Sequence, residues 1–187
     1  MFFTAPALLG VDALGTPALL SILLLLFLNT FIAPTVIILY MYRFGKISSL
    51  HIDNLSERRQ PYLVAIVTYA VAIYLFGWQL QPIANLAPQI ALLLASVTVS
   101  LVVVALVSLF WKISAHATGM GGFIGMIGSL QTSYDEPALF IALILSIILT
   151  GWLLSARLQL NAHNSLQILA GFLNGLVIAV VTAYLFF

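Results

Sequence analysis

The sequence predicts an all-α membrane protein, with six transmembrane helices in a single compact bundle and residues 1–187 forming one domain. Three observations carry this expectation. Of the 187 residues, 63% are hydrophobic and only 6% are charged. The mean hydropathy is +1.19, well outside the range of soluble globular domains. The apolar residues also fall into long runs whose interruptions are filled by proline, amide and charged side chains.

A span needs about 20 largely apolar residues, because every backbone polar group must be satisfied within the helix across roughly 30 Å of hydrocarbon. Six runs qualify, at about 17–42, 61–80, 88–111, 115–132, 137–156 and 165–187. The first carries Asn29 and Pro34 mid-run, and a kink is expected there, since proline removes a backbone donor and clashes with the preceding turn. "QLQPIANLAPQ" (79–89) separates the second run from the third, and "SLQTSYDEP" (129–137) separates the fourth from the fifth. There is no fixed-period repeat. Tyr40, Tyr42, Tyr62, Trp78 and Trp111 stand near run ends, where amphipathic rings anchor at the membrane interface.

Net charge is +1, so the chain has no basic field to draw in nucleic acid. The expected partners are a membrane lipid substrate and, beyond it, membrane proteins or a second copy of the chain. With no cysteine, disulfides and thiolate chemistry are excluded, and no metal or other cofactor is expected. The N-terminal "MFFTAPALLGVDALGTP" lacks the basic start of a secretory signal, so it is expected to be retained, along the interface.

The placement of charge says more than its total. Arg43, Lys46, Arg58, Arg59, Lys112 and Arg157, with His51, His116 and His163, all fall in the odd-to-even connections, whereas Asp12, Asp135 and Glu136 fall on the opposite side. As a positive-inside signal this puts the basic connections in the cytoplasm, of a bacterial inner membrane, and both termini on the other side. If the cations instead form a phosphate site, their clustering reflects function and the topology rule loses force. His51 and Lys112 are read as interfacial residues, and "RFGK" (43–46) as an orientation signal.

Each basic connection supplies groups suited to phosphate. The first, "RFGKISSLHIDNLSERRQP", carries up to four cations. The second, "WKISAH", carries Lys112, Ser114 and His116, and the third carries Arg157 and His163. Phosphomonoester chemistry needs cations for the equatorial oxygens, a nucleophile in line with the leaving oxygen, and an acid to protonate that oxygen. His116 and His163 stand at or just before helix starts, where unpaired N–H groups attract an anion. Ser114, and Asn164 or Ser165, are suited to cap those helices.

These residues resemble the type 2 phosphatidic acid phosphatase superfamily, the lipid phosphatases related to vanadium haloperoxidases, whose three blocks are Lys-x6-Arg-Pro, Pro-Ser-Gly-His and Ser-Arg-x5-His-x3-Asp. Here the third block reads "ARLQLNAHNSLQ", with Arg157 and His163 at the family spacing, Ala156 in place of serine and Gln167 in place of aspartate. The second reads "ISAH" (113–116), keeping Ser114 and His116 without the proline and glycine. In the first, Gln60 separates Arg59 from Pro61, and Lys46 lies too far upstream for the spacing. The resemblance implies a six-helix core in which His163 attacks phosphorus to form a phosphohistidine and His116 protonates the leaving oxygen. Arg157, with Arg58 or Arg59, would hold the phosphate of a lipid or polyprenyl phosphate or diphosphate, with Lys46 and Ser114 as further phosphate-site residues. Gln167 takes the position of the aspartate that orients the nucleophile, but carries no compensating charge, so restoring an acid there is expected to raise activity.

The glycines add an independent expectation. Gly121 and Gly125 are four apart in "GMGGFIGMIG", as are Gly171 and Gly175 in "GFLNG", and such small-xxx-small faces let helices approach closely in lipid. They would clamp the two histidine-bearing helix starts together. An aspartate-rich prenyltransferase is excluded by the lack of paired carboxylates to hold Mg²⁺. An ion-coupled transporter is disfavoured by spans without a mid-membrane charge. The alternative that stays open is a catalytically degenerate relative serving as a structural or lipid-binding subunit of a larger membrane complex.

Overall fold

A computed structural model describes residues 15–49, 55–81 and 83–187; Asp12, His51 and the N-terminal stretch lie outside these. Among the described residues the secondary structure is entirely helical: α1 (Thr16–Phe27), α2 (Ala33–Arg43), α3 (Leu55–Tyr74), α4 (Ile83–Leu86), α5 (Pro88–Val107), α6 (Ala115–Tyr134), α7 (Pro137–Gln159) and α8 (Ser165–Phe186). Five stretches are long and apolar enough to cross a membrane, as an integral membrane protein requires: Thr16–Arg43, Glu57–Gln79, Pro88–Val107, Pro137–Gln159 and Ser165–Phe186. α6 is 20 residues long but falls outside that group, because its sequence is diluted by five glycines, His116, Thr118 and, near its end, Gln131 and Thr132.

The expected interruption of the first run takes the form of one π turn, Leu28–Ile32, joining α1 to α2. Pro34 follows directly and has no N–H to offer the carbonyl four residues back. Asn29 Nδ2 and Thr30 Oγ1 turn inward along the helix and donate to the Leu25 and Leu26 carbonyls. A second π turn, Leu75–Gln79, extends α3. The start of α3 lies six residues ahead of the expected position, with Pro61 inside the helix. The residues ahead of it are strong helix formers, and the Glu57 carboxylate accepts from Ser48 N and Ser48 Oγ at 2.8 and 2.9 Å, tying the preceding loop to the first turn. α5 ends at Val107, where the chain tightens into turns through Phe110.

α6 and α8 run parallel and touch along their backbones. A Cβ on Gly121 would collide with the Phe172 carbonyl oxygen, one on Gly175 with the Thr118 carbonyl oxygen, and one on Gly171 with the Ser114 carbonyl oxygen. At Gly125 it would stand 2.8 Å from the Leu176 carbonyl oxygen. The small-residue faces expected from the sequence are therefore the contact itself, and all four positions are buried. The remaining apolar packing concentrates at the end of the bundle away from the basic connections. One cluster joins Leu19, Ile22, Phe76 and Ile90, and a second joins Met126, Leu130, Leu139 and Ala183.

Candidate functional site: a cationic histidine centre

The Arg-x5-His spacing of the third connection has a simple structural origin: one helix ends and the next begins within seven residues. α7 closes with Asn161 in the left-handed region at φ 50, Asn161 N bonding the Leu158 carbonyl and Ala162 N bonding the Arg157 carbonyl at 3.0 and 3.1 Å. This double closure is a Schellman motif, in which a glycine or asparagine takes the left-handed position. It fixes Arg157 in the last turn of α7. α8 then opens with a capping box: Asn164 Oδ1 accepts from Gln167 N at 2.9 Å, and Gln167 Oε1 accepts from Asn164 N at 3.2 Å. His163, directly ahead of the cap, is 7% exposed.

The capping box also fixes the protonation of the histidine. Gln167 Oε1 lies 3.1 Å from His163 Nδ1, and the same oxygen accepts from a backbone N–H. The Gln167 oxygen is therefore an acceptor, so Nδ1 carries the proton and Nε2 keeps its lone pair. Burial pushes the His163 pKa down from 6.5 to about 4. The Gln167 hydrogen bond opposes this, and the charges of Arg58, Lys112 and Arg157 push it further down. Near neutral pH the ring is uncharged, with a free lone pair amid three cations.

The second connection joins this centre through the backbone. Ser114 N donates to the Gln167 carbonyl at 3.3 Å, and the buried Ser114 caps α6, its Oγ accepting from Ala117 N at 3.3 Å. The glycine-lined contact below holds the two helix starts side by side. His116, in the first turn of α6, is exposed and lies within electrostatic reach of Arg157. Arg157 thus acts on both histidines, and its buried Nε–H has no acceptor among the described residues.

Of the cations named from the sequence, the structure brings Arg58 and Arg157 to His163. Arg58, at the start of α3, is 7% exposed, whereas its neighbour Arg59 is exposed. Lys46 lines a separate surface pocket of about 420 Å³ with Arg43, Ser48 and Glu57. Lys112, read from the sequence as an interfacial residue, instead places its charge on His163. Its signal was present in its position, four residues before His116 in the same connection. Among the described residues no three His, Asp or Glu side chains group as a metal site. No family model, curated protein or solved structure matches the chain.

Proposed function

We propose that the protein is an integral membrane lipid-phosphate phosphatase that works through a phosphohistidine, with α6 crossing beside the five apolar stretches to complete a six-span bundle. The observation that carries this reading is the neutral His163, its Nδ1 held by Gln167, standing under the charges of Arg58, Lys112 and Arg157. A nucleophile needs an available lone pair, and a phosphoryl group in transfer needs cations on its equatorial oxygens. The buried Arg157 Nε–H supports the same reading, since a phosphate oxygen would relieve the cost of a buried donor without a partner. The N-terminus of α8 adds its free N–H groups beside the nucleophile.

In this mechanism His163 Nε2 attacks phosphorus and the bond to the lipid oxygen breaks, its electron pair leaving with that oxygen. His116 gives the leaving oxygen a proton. Water then attacks the phosphohistidine, His116 takes a proton from it, and the P–N bond breaks to release phosphate and restore neutral His163. The basic connections face the cytoplasm of a bacterial inner membrane, with the termini opposite. Wild-type protein in nanodiscs is expected to release phosphate from a lipid phosphate such as phosphatidate, and His163→Ala to abolish it; full activity in the variant refutes the mechanism. One observation favours a second reading, a phosphate-lipid-binding subunit without turnover: Gln167 brings no charge to stabilise the imidazolium-like transition state. Phosphatidate bound in stoichiometric amount but not hydrolysed would establish that reading.

A further inference from the structure

A cavity of about 540 Å³ lies between the first span, α3, α5 and α6. It begins at Ala115, the residue before His116, and follows one face of α6 through Thr118, Gly119 and Gly122 to Met126 and Ile127. The twelve helical steps from Ala115 to Ile127, at about 1.5 Å each, give it a length of roughly 18 Å, more than half of a hydrocarbon core of roughly 30 Å. Its far end is closed by packed side chains: Met126 and Ala179 belong to the second apolar cluster, and Leu93 packs against both clusters. Four of the five hydroxyls in its wall are already engaged. Thr30, Ser100 and Thr118 donate to the carbonyls four residues behind them, and Thr30 also shares a hydrogen bond with Tyr69. The cavity therefore presents mainly carbon, with two glycines giving it width. A Cβ on Gly119 would meet nothing described within 4 Å, and one on Gly122 would come only to 3.7 Å from Gly175.

We propose that this cavity receives one hydrocarbon chain of a lipid whose phosphate sits at His163, and that Gly119 determines which chains it admits. An apolar cavity that begins beside a cationic centre and is packed shut at its far end matches a single-chain amphiphile with an anionic head. The identity of the head rests on the phosphatase reading; the occupancy of the shaft does not. The test uses the full chain in nanodiscs with a dodecyl phosphate carrying a diazirine at the chain end. Photolysis is expected to place adducts on Met126 and Ile127, and Gly119→Leu, which grows into the shaft, to reduce them by about tenfold or more. Gly151→Leu on α7, also in open space but outside the shaft, is the matched control and is expected to label like wild type. Adducts confined to outward residues such as Ile148 and Trp152, or equal labelling in Gly119→Leu, overturn the proposal. Phosphate release from unmodified dodecyl phosphate is read in parallel. Floor labelling without release leaves the shaft established and refutes turnover, whereas release with labelling elsewhere refutes the shaft and leaves turnover standing.

Discussion

Replacing Gln167 with glutamate preserves the shape of the side chain and changes its charge, so it isolates the one feature that separates this centre from an acid-supported histidine. Gln167 Oε1 lies 3.1 Å from His163 Nδ1 and 3.2 Å from Asn164 N. A glutamate oxygen in that place accepts from both, so the capping box survives, and a negative charge in the first turn of α8 adds about 0.3–1 kcal/mol. Glutamate is the better replacement than aspartate because the box spans the full length of the side chain. At 3.1 Å and an effective dielectric of about 20 the attraction to an imidazolium is on the order of 5 kcal/mol. Water access at a membrane-surface site weakens this attraction, and what remains lifts the His163 pKa from about 4 back toward its ordinary value. The assay is an NMR titration of the imidazole resonances in detergent, with His163→Ala giving the assignment, alongside phosphate release. Hydrolysis is expected to rise by up to about 10⁴-fold, the loss seen when an orienting carboxylate is made an amide in a serine protease triad. A His163 pKa that is the same in wild type and in Gln167→Glu would show that the contact is not made, and the tautomer argument would fall with it.

The remaining predictions test the centre and its supports. Wild-type hydrolysis depends on neutral His163 and is expected to be lost as pH falls through about 4, measured as a pH–rate profile. The same lowered pKa gives the fold stability that is fully present above the unfolded value of 6.5 and is lost as pH falls toward about 4, because the unfolded chain takes up the proton first; thermal unfolding at stepped pH reads this. Gly175→Ala puts a methyl group onto the Thr118 carbonyl, where backbone on both sides must yield, so a loss of about 1–3 kcal/mol is expected in detergent unfolding. Gly151→Ala, with nothing described within 4 Å, is expected to be neutral or to gain up to about 1 kcal/mol from helix propensity. Single cysteines at Leu160 and Ser133 are expected to react with an impermeant maleimide from opposite faces, Leu160 from the cytoplasm.

The apolar runs were legible because a membrane imposes one length and one composition on whatever crosses it: all six reappear as helices within a few residues of the expected bounds, and five of them are long and apolar enough to cross. What hydropathy failed to rank was α6, whose glycines lower its apolarity for the same reason that they let it touch α8. Pro61 misplaced the start of α3, since a proline six residues into a helix reads as its first turn. The site was legible where two helix ends fix a spacing. Arg157 and His163 are separated by five residues because a Schellman closure and the approach to a capping box occupy the interval. It was illegible where the choice depends on which way a helix turns. Arg58 and Arg59 are identical in type and adjacent in sequence, yet one is buried toward His163 and the other is exposed. Lys112 was passed over because a lone cation at a span end has an ordinary explanation, and only its approach to the histidine gives it another.

The weak apolarity of α6 and the chemistry at its start are linked. A leucine-rich helix would be read at once as a span, but its side chains would hold α8 several ångströms further off. Ser114 then could not bond the Gln167 carbonyl, and the second connection would lose its tie to the nucleophile. Glycines at 121, 125, 171 and 175 exchange lipid-facing area for backbone contact, and the contact brings the start of α6 against the first two turns of α8. Toward the cavity, Gly119 makes no such close contact and leaves the shaft open instead. One glycine-rich helix thus serves two purposes on two faces. Substitutions on the α8 face are therefore expected to cost stability, and those on the shaft face to alter chain selection while the fold persists.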